Sequence, residues 1–258
     1  MKIPFTKYQG TGNDFILVDN RNRQYDKIDV LKLCTPKFGI GADGLMLLQN
    51  IEGYDFEMVY YNSDGNISTM CGNGGRCIVD FAHSLNIFTD TTVFKAIDGP
   101  HDATWQPEKV ELKMQDVSTL SKDGEAFVLN TGSPHFVLFT KDIADIAIVD
   151  SARAIRYNAI YGKEGINVNF VEITDANTIS VRTYERGVEN ETLSCGTGVT
   201  ASAIALSKAL NYKDGDHTVT INTPGGQLSV KYNLQNGLYT NVWLIGAAQP
   251  VFEGVAEL

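Results

Sequence analysis

Two cysteines each stand directly before a Gly-x-Gly turn, Cys71 in MCGNGG and Cys195 in SCGTGV, and a helix-like segment follows each turn. The N-terminus of a helix presents unpaired backbone N–H groups and about half a positive charge, so it can bind an anion such as a carboxylate. Glycines there let a ligand approach the backbone closely. Because the same field lowers the pKa of a thiol, each motif predicts an anion site combined with a cysteine base or nucleophile.

The presence of two such motifs favours one particular chemistry. A single motif would be typical of a covalent cysteine enzyme or a redox thiol. If a pseudo-twofold axis relates two halves of the chain, both helix ends would face one carboxylate across an interdomain cleft. A thiolate would then lie on one face of the α-carbon and a thiol on the other. This arrangement predicts racemisation or epimerisation, since one base could return a proton only to the face it came from.

The other two cysteines, Cys34 and Cys77, are interpreted as buried structural thiols. Polar side chains at turns and strand ends complete the candidate site. Four asparagines would form a neutral lining suited to an amino acid: Asn13, Asn62, Asn73 and Asn167. Arg186, which follows Glu185, could clamp a second carboxylate with its bidentate guanidinium. His135, in TGSPHF, could tune a thiol.

The elements that position these residues recur along the chain. TGNDFILVDN resembles TGSPHFVLFTKD, and each is expected to continue as a strand with alternating apolar residues. GIGADGLMLL is matched by GINVNFVEI, MVYYNSDGN…MCGNG by VRTYERGVE…SCGTG, and TVFKAIDG by TVTINTPGG. The offset is 131 − 11 = 120 residues for the first pair and 195 − 71 = 124 for the cysteines. Four pairs in the same order predict a duplicated, two-domain architecture.

The predicted fold class is mixed α+β, with two pseudo-symmetric domains, each a curled mixed or antiparallel sheet around a central helix. GGRCIVDFAHSLNIF has apolar residues at helical spacing, and GTGVTASAIALSKAL is apolar or small nearly all round, which is typical of a buried helix. We expect residues 1–116 and 117–246 to form the two halves, with 247–258 completing the first. The join is predicted in a polar stretch around residues 115–125.

Composition excludes several classes of function. The net charge is −10 and the basic residues are scattered, which argues against a nucleic-acid partner. No apolar run could span a bilayer, so no membrane partner is predicted. The first residues lack an apolar signal core, from which we expect a cytoplasmic protein. Cys71 and Cys77 lie six residues apart with no neighbouring histidine knuckle, so no metal site is predicted.

The motifs GTGNDF, GIGADGL, YNSDGN…MCGNGGRC, GSPHF, NVNFVE, YERGVENETLSCGTG and PGG resemble those of the diaminopimelate epimerases, which are cofactor-independent isomerases. The resemblance runs from residue 10 to about residue 226. It implies interconversion of LL- and meso-2,6-diaminopimelate by a homodimer, without metal or pyridoxal phosphate, in lysine and peptidoglycan precursor biosynthesis.

By position, the resemblance implies that Cys71 and Cys195 are the two acid/base residues, and that His135 and Glu185 help to set their pKa values. The backbone N–H groups implied to hold the reacting α-carboxylate are those of Gly72, Asn73, Gly196 and Thr197. The side chains implied to bind the rest of the substrate are those of Asn13, Asn62, Asn167, Glu185 and Arg186.

Three departures from the family pattern affect the surroundings of the cysteines but not the cysteines themselves. Ser133 stands where several members have asparagine, and Gly44 stands where some have glutamine. The loop ERGVENET is one residue longer than usual. Two alternatives stay open: a proline or hydroxyproline racemase, although these typically carry histidine where Asn73 stands, and a non-enzymatic thiol switch or metal-binding module.

Overall fold

The structure is a computed structural model that describes residues 1–257. The chain divides into two compact units: unit 1 comprises Met1–Leu112 and Gly246–Leu258, and unit 2 comprises Lys113–Ile245. Strands dominate both units and helices are few, so the predicted mixed α+β class is confirmed. Within residues 1–257, none of the helices combines the length and the apolar character that a membrane span requires.

Unit 1 holds a sheet whose strands alternate between antiparallel and parallel neighbours. Its strands are β1 (Lys2–Gly10), β2 (Asn13–Asp19), β3 (Gly44–Gln49), β4 (Phe56–Asn62), β5 (Thr91–Ala96), β6 (Gly99–Gln106), β7 (Lys109–Lys113, ending at the boundary) and β17 (Gln249–Glu257). Strand β1 pairs antiparallel with β2, β2 parallel with β3, β3 antiparallel with β4, β4 parallel with β5, and β5 antiparallel with β6. Strands β7 and β17 add antiparallel partners to β6 and β1.

Unit 2 repeats this pattern. Its strands are β8 (Leu120–Asp123), β9 (Ala126–Asn130), β10 (Pro134–Phe139), β11 (Asn167–Asp175), β12 (Thr178–Glu185), β13 (Asn190–Thr192), β14 (Gly215–Thr223), β15 (Gly226–Gln235) and β16 (Leu238–Gly246). Strand β9 pairs antiparallel with β10, β10 parallel with β11, β11 antiparallel with β12, β12 parallel with β14, and β14 antiparallel with β15. The order of antiparallel and parallel pairings is therefore the same in both units.

Each unit places one long helix between its fourth and fifth repeated strands. Helix α2 (Gly72–Ser84) packs on β1 and β2 in unit 1, and α4 (Gly196–Ala209) packs on β9 to β12 in unit 2. A shorter helix in each unit, α1 (Val30–Cys34) or α3 (Ile148–Arg156), contributes to a second hydrophobic cluster. Helix α4 is buried on nearly every side, as predicted, with Lys208 as its exposed residue near the C-terminal end.

One local expectation was wrong. Strand β2 does not alternate between buried and exposed residues, because both of its faces are covered: Phe15 lies against α2 and Ile16 against the cluster that contains α1. The polar stretch 115–125, where the join is predicted, contains strand β8, which pairs with β9. Gly124 lies in the left-handed region (φ 58°) after Asp123, an Asp-Gly turn of the kind that closes a hairpin.

Candidate active site

Both predicted cysteines occupy the N-cap position of a long helix. Cys71 precedes α2 and Cys195 precedes α4, each with extended backbone (φ −103°, ψ 134° and φ −121°, ψ 113°). Their carbonyl oxygens accept the first helical hydrogen bonds, at 2.7 Å from Gly75 N and 2.9 Å from Val199 N. Neither cysteine side chain makes a capping hydrogen bond to its helix, and each cysteine lies at the positive end of a helix dipole.

The first two residues of these helices are the ones whose N–H groups were predicted to hold a carboxylate. They are Gly72 and Asn73 in α2, and Gly196 and Thr197 in α4. Backbone N–H groups in the first turn of a helix have no partner within the helix. Their position gives each unit an anion-binding helix end next to a thiol, while their role in binding substrate stays a prediction.

In unit 1, the side-chain amide of Asn13 lies beside the Cys71 sulfur. Asn13 Oδ1 lies 3.7 Å from Cys71 Sγ and 3.5 Å from Asn73 Nδ2. Asn13 Nδ2 donates to a carboxylate oxygen of Asp43, which also accepts from the backbone N–H of Asp14. Because a carboxylate can only accept, Asp43 fixes the orientation of the Asn13 amide and turns its oxygen toward the thiol.

A buried arginine lies beneath the same helix end. Arg76 is fully buried, and within residues 1–257 it forms no ion pair with a carboxylate. Its guanidinium donates to neutral oxygens instead: Gly72 O at 3.2 Å, Thr11 Oγ1 at 3.2 Å and Asn73 Oδ1 at 3.1 Å. Burial lowers its pKa, and nearby thiolate charge at Cys77 and Cys71 would act in the opposite direction. Since arginine keeps its proton in proteins, unit 1 holds a fixed positive charge close to Cys71.

In unit 2, a different group of side chains surrounds the cysteine. Thr197 Oγ1 lies 3.5 Å from Cys195 Sγ, 2.9 Å from His135 Nε2 and 3.2 Å from Ser133 Oγ. His135 is fully buried, and burial, aided by the positive charge of Arg186, lowers its pKa to about 3. The imidazole is therefore neutral at physiological pH, and it can act on the thiol through a hydrogen bond rather than through charge.

Asn167 links three segments of unit 2. Its Nδ2 donates to Ser133 Oγ (2.9 Å) and Pro134 O (3.1 Å), and its Oδ1 accepts from the backbone N–H of Arg186 (2.8 Å). This amide thus fixes the start of β10 against the end of β12. The Arg186 guanidinium donates to Glu164 O at 3.0 Å, and Glu185 accepts from Thr192 Oγ1 at 3.1 Å.

The remaining predicted residues in unit 1 lie where β3 and β4 pair. Asn62 ends β4 directly opposite Gly44, the first residue of β3. A Cβ atom at Gly44 would lie 2.5 Å from the ring of Tyr60, so the tyrosine ring fills the space that a larger side chain at position 44 would need. The ring of Tyr60 therefore occupies the space that the glutamine of some family members would need at position 44.

Cys34 and Cys77 are buried structural thiols, as predicted. They are 1% and 0% exposed, and burial raises the pKa of Cys34 to about 11 and that of Cys77 still higher. Thiols of this kind are poor bases at neutral pH.

The two units have the same order of strand pairing but differ in the residues that lie beneath the cysteine. In the parallel pairing of β2 with β3, Phe15 lies opposite Gly44, and in that of β10 with β11, His135 lies opposite Asn167. His135 thus occupies the position that Phe15 occupies in unit 1. By the same register, Asn169 corresponds to Met46. At these two positions the side chains are polar in unit 2 and apolar in unit 1.

Four residues of the hydrogen-bond networks were missed by sequence reasoning: Arg76, Asp43, Asn169 and Thr183, whose hydroxyl donates to the Asn169 amide oxygen. An arginine on the otherwise apolar face of α2, and a second asparagine inside the apolar strand NVNFVE, are the signals that could have indicated two of them. No such signal marks Asp43 or Thr183, since an aspartate before a strand and a threonine within a strand are both common.

The chain is similar to known proteins over nearly its whole length. The diaminopimelate epimerase family profile matches residues 5–120 and 127–249. A diaminopimelate epimerase from Flavobacterium psychrophilum is 51% identical over 251 residues, covering 96% of this chain and 97% of that protein. One from Aquifex aeolicus is 38% identical over 275 residues, covering 98% and 97%.

Solved structures share the fold at low identity. A phenazine biosynthesis protein of the PhzF family from Bacillus anthracis has a TM-score of 0.76 at 12% identity, over all of both chains. A hydroxyproline epimerase from Agrobacterium vitis has a TM-score of 0.70 at 11% identity, covering 100% of this chain and 93% of that one. These likenesses show a common fold and no more. The family match, together with relatives that the chain covers almost completely, shows that the chain belongs to the diaminopimelate epimerase family.

Proposed function

We propose that this protein interconverts LL-2,6-diaminopimelate and meso-2,6-diaminopimelate by a two-base mechanism in which Cys71 and Cys195 exchange protons with one α-carbon. The observation that carries the proposal is the recurrence of an N-cap cysteine at the start of a buried helix in two units with the same strand pairing. We propose that the thiols perform the proton chemistry themselves, without metal or pyridoxal phosphate.

In the proposed reaction, one cysteine starts as thiolate and the other as thiol. The thiolate takes the α-proton, so that a C–H bond breaks and an S–H bond forms. The electron pair left on carbon delocalises into the α-carboxylate, whose growing charge the N–H groups of both helix ends stabilise. The second thiol then donates its proton to the opposite face of the carbon. The atoms balance, and the enzyme is left with the two protonation states exchanged.

The substrate carries a second, unreactive amino-acid end, for which we propose the polar residues around the cysteines. The guanidinium of Arg186 suits the distal carboxylate, and Glu185 suits the distal ammonium group. Asn13 and Asn62 in unit 1, and Asn167 in unit 2, would contribute amide hydrogen bonds. The neutral imidazole of His135 would act on Cys195 through Thr197.

The test is isotope incorporation from D₂O during conversion of the LL isomer. A two-base mechanism predicts that the inverted α-carbon of the early product carries solvent deuterium, while unreacted LL substrate keeps its proton. Mass spectrometry of the separated isomers measures both. Cys71→Ala and Cys195→Ala should each lower turnover about 10²- to 10⁴-fold, the usual contribution of one positioned acid or base.

Cys34→Ala is the matched control, because Cys34 is a buried thiol away from both helix starts and should leave turnover nearly unchanged. The proposed mechanism is wrong if either active-site alanine variant keeps full turnover, or if the inverted carbon retains the substrate proton. Inversion of proline or hydroxyproline, with no reaction of diaminopimelate, would instead support the racemase alternative.

We also propose that the protein acts in the cytoplasm as a homodimer. Apolar residues on strand β17 support the dimer: Val251 and Val255 are 56% and 59% exposed. Such exposed residues on one strand are suited to burial against a second copy.

A further inference from the structure

A hydrogen-bond chain beneath Cys195 begins at Asn169, a residue without a role in the mechanism so far. Asn169 is fully buried in β11. Its Nδ2 lies 3.1 Å from Phe136 O and 3.1 Å from His135 Nδ1, and its Oδ1 accepts from Thr183 Oγ1 at 2.9 Å. Because a backbone carbonyl can only accept, the group that faces Phe136 must be the amide NH₂. The same NH₂ therefore faces His135.

This orientation decides the tautomer of His135. An imidazole nitrogen that receives an N–H donor must offer its lone pair, so Nδ1 is unprotonated and the proton of the neutral ring is on Nε2. The Nε2–H group then donates toward Thr197 Oγ1 at 2.9 Å or Ser133 Oγ at 3.0 Å. The low pKa of His135 removes the imidazolium form, which would have a donor on both nitrogens.

A second chain ends on the same hydroxyl. Asn167 Nδ2 donates to Ser133 Oγ, and Ser133 Oγ lies 3.2 Å from Thr197 Oγ1. Ser133 can thus pass its own hydrogen on to Thr197. Whether the Nε2–H donates to Thr197 directly or through Ser133, the Thr197 oxygen receives a hydrogen, which leaves the hydrogen of its own hydroxyl for Cys195 Sγ at 3.5 Å.

We propose that Asn169 is a positioning residue for catalysis: it fixes the Nε2–H tautomer of His135, so that the His135–Thr197 chain delivers an O–H donor to the Cys195 sulfur. Such a donor stabilises the thiolate and so supports Cys195 as the base. The inference rests on the proposed function, because it assigns Asn169 a role only if Cys195 exchanges protons with substrate.

The equivalent layer of unit 1 argues against a purely structural role. Met46 and Phe15 stand there where unit 2 has Asn169 and His135. Unit 1 therefore forms the same strand pairing with apolar side chains at these two positions. A buried amide and imidazole are costlier to bury than Met and Phe unless every hydrogen bond is made, so fold alone does not require them.

The experiment compares Asn169→Leu and Asn169→Asp with the wild-type protein. Nitrogen-15 NMR of the imidazole should show a protonated Nε2 in the wild type, a mixture of tautomers in Asn169→Leu, and a protonated Nδ1 in Asn169→Asp, because a carboxylate presents an acceptor to Nδ1. Alkylation by iodoacetamide, followed at each cysteine by mass spectrometry, should slow about tenfold at Cys195 in both variants, the effect of weakening one hydrogen bond to a charged group. Alkylation of Cys71 should not change and serves as the internal reference.

Thr183→Val is the matched control. It removes the other hydrogen bond of the Asn169 amide but leaves the NH₂ directed at His135. This variant should keep the wild-type tautomer and the wild-type Cys195 alkylation rate, even if it is less stable. For turnover, Asn169→Leu should lower kcat about ten- to hundredfold with little change in KM, the range expected when a histidine loses its orienting partner.

A protonated Nδ1 in the wild type would overturn the proposal, as would equal losses of Cys195 reactivity in Asn169→Leu and Thr183→Val. The NMR and alkylation measurements require no substrate, so they decide the positioning role even if diaminopimelate is not the substrate. Failure of the isotope experiment with an intact Nε2–H tautomer would count against the proposed function alone.

Discussion

At the scale of single residues, the two cysteines have unlike neighbours. Cys71 has an amide oxygen from Asn13 and the buried charge of Arg76 nearby, whereas Cys195 has the hydroxyl of Thr197 backed by neutral His135. A nearby charge shifts the pKa of a thiol whatever the orientation of the charged group. A neutral hydrogen-bond chain shifts it only when its last donor points at the sulfur. The two halves of the proposed reaction are therefore prepared by different physical means.

His135 gives a prediction for stability against pH. The ring titrates near 6.5 when unfolded, and burial lowers its pKa to about 3 in the native state, so between these values the unfolded chain binds the extra proton. Stability must therefore fall as pH falls through this window. Between pH 7.5 and pH 5 the contribution of His135 is about 2 kcal/mol, at about 1.4 kcal/mol per pH unit below 6.5.

Urea unfolding of the wild type and of His135→Gln at the two pH values measures this contribution. The variant should lose about 2 kcal/mol less than the wild type on acidification, because glutamine does not titrate. Equal losses in the two proteins would contradict the assignment of a low native pKa to His135.

Sequence reasoning identified the cysteines and most of their neighbours by type, but not what those neighbours contact. Cys71 and Cys195 could be found because a Cys-Gly-x-Gly turn before an apolar segment has a direct physical meaning. Asn167 stays predicted to bind substrate, and only the structure shows that both ends of its amide also bond to unit 2. A sequence gives the number of donors on a side chain, and only the fold determines which acceptors they meet.

At the scale of elements, the second glycine of each Cys-Gly-x-Gly motif sets the distance between helix and sheet. Sequence reasoning assigned these glycines to the approach of a ligand. In the structure, Gly74 faces the end of the Met46 side chain and Gly198 faces the amide of Asn169, so both allow the helix to lie close on its own sheet. The strands and helices could be predicted from local sequence patterns. The contact between each helix glycine and its facing side chain could not be predicted, because it joins residues far apart in sequence.

The two glycines should differ in their tolerance of alanine. A Cβ at Gly198 would lie 2.5 Å from Asn169 Oδ1, and Asn169 is held in place by three hydrogen bonds. We expect Gly198→Ala to cost about 1–3 kcal/mol of unfolding free energy, typical of overpacking, and to slow Cys195 alkylation. At Gly74 the obstacle is the flexible end of Met46, which can turn away.

Gly74→Ala should therefore change stability by less than about 1 kcal/mol, since the better helix propensity of alanine offsets the small repacking. Thermal or urea unfolding of the two variants measures the difference. A Gly74→Ala protein as unstable as Gly198→Ala would show that the identity of the facing side chain does not decide the outcome.

At the scale of the whole molecule, the repeated sequence pattern corresponds to a repeated pairing of strands. The alternation of antiparallel and parallel neighbours from β1 to β6 recurs from β9 to β15. The mixed α+β class followed from sequence because the repeats carry strand and turn signals in the same order. The pairing partner of each strand could not be predicted from sequence, since parallel neighbours such as β4 and β5 are separated by a helix and by long loops.

The proposed dimer gives a prediction at this scale. Light scattering should give the mass of two 28.3 kDa chains, and Val251→Glu combined with Val255→Glu should give the mass of one, because each charge would have to be buried against the second copy. Lys2→Glu is the control for a charge change on the neighbouring strand, at a residue already exposed. A wild-type protein that is monomeric at micromolar concentration would contradict the proposal.

The pairing of β17 with β1 has a consequence for how the protein is made. Lys2 lies opposite Glu257, so β1 gains this partner only after all of unit 2 has been synthesised. Unit 2 is continuous in sequence and needs no later segment to fold, whereas unit 1 keeps an unpaired edge on β1 until β17 has been synthesised. Chaperone contact with the nascent chain should therefore concentrate on the amino-terminal segment. A circular permutant that joins the two ends would make β17 and β1 consecutively and remove the delay.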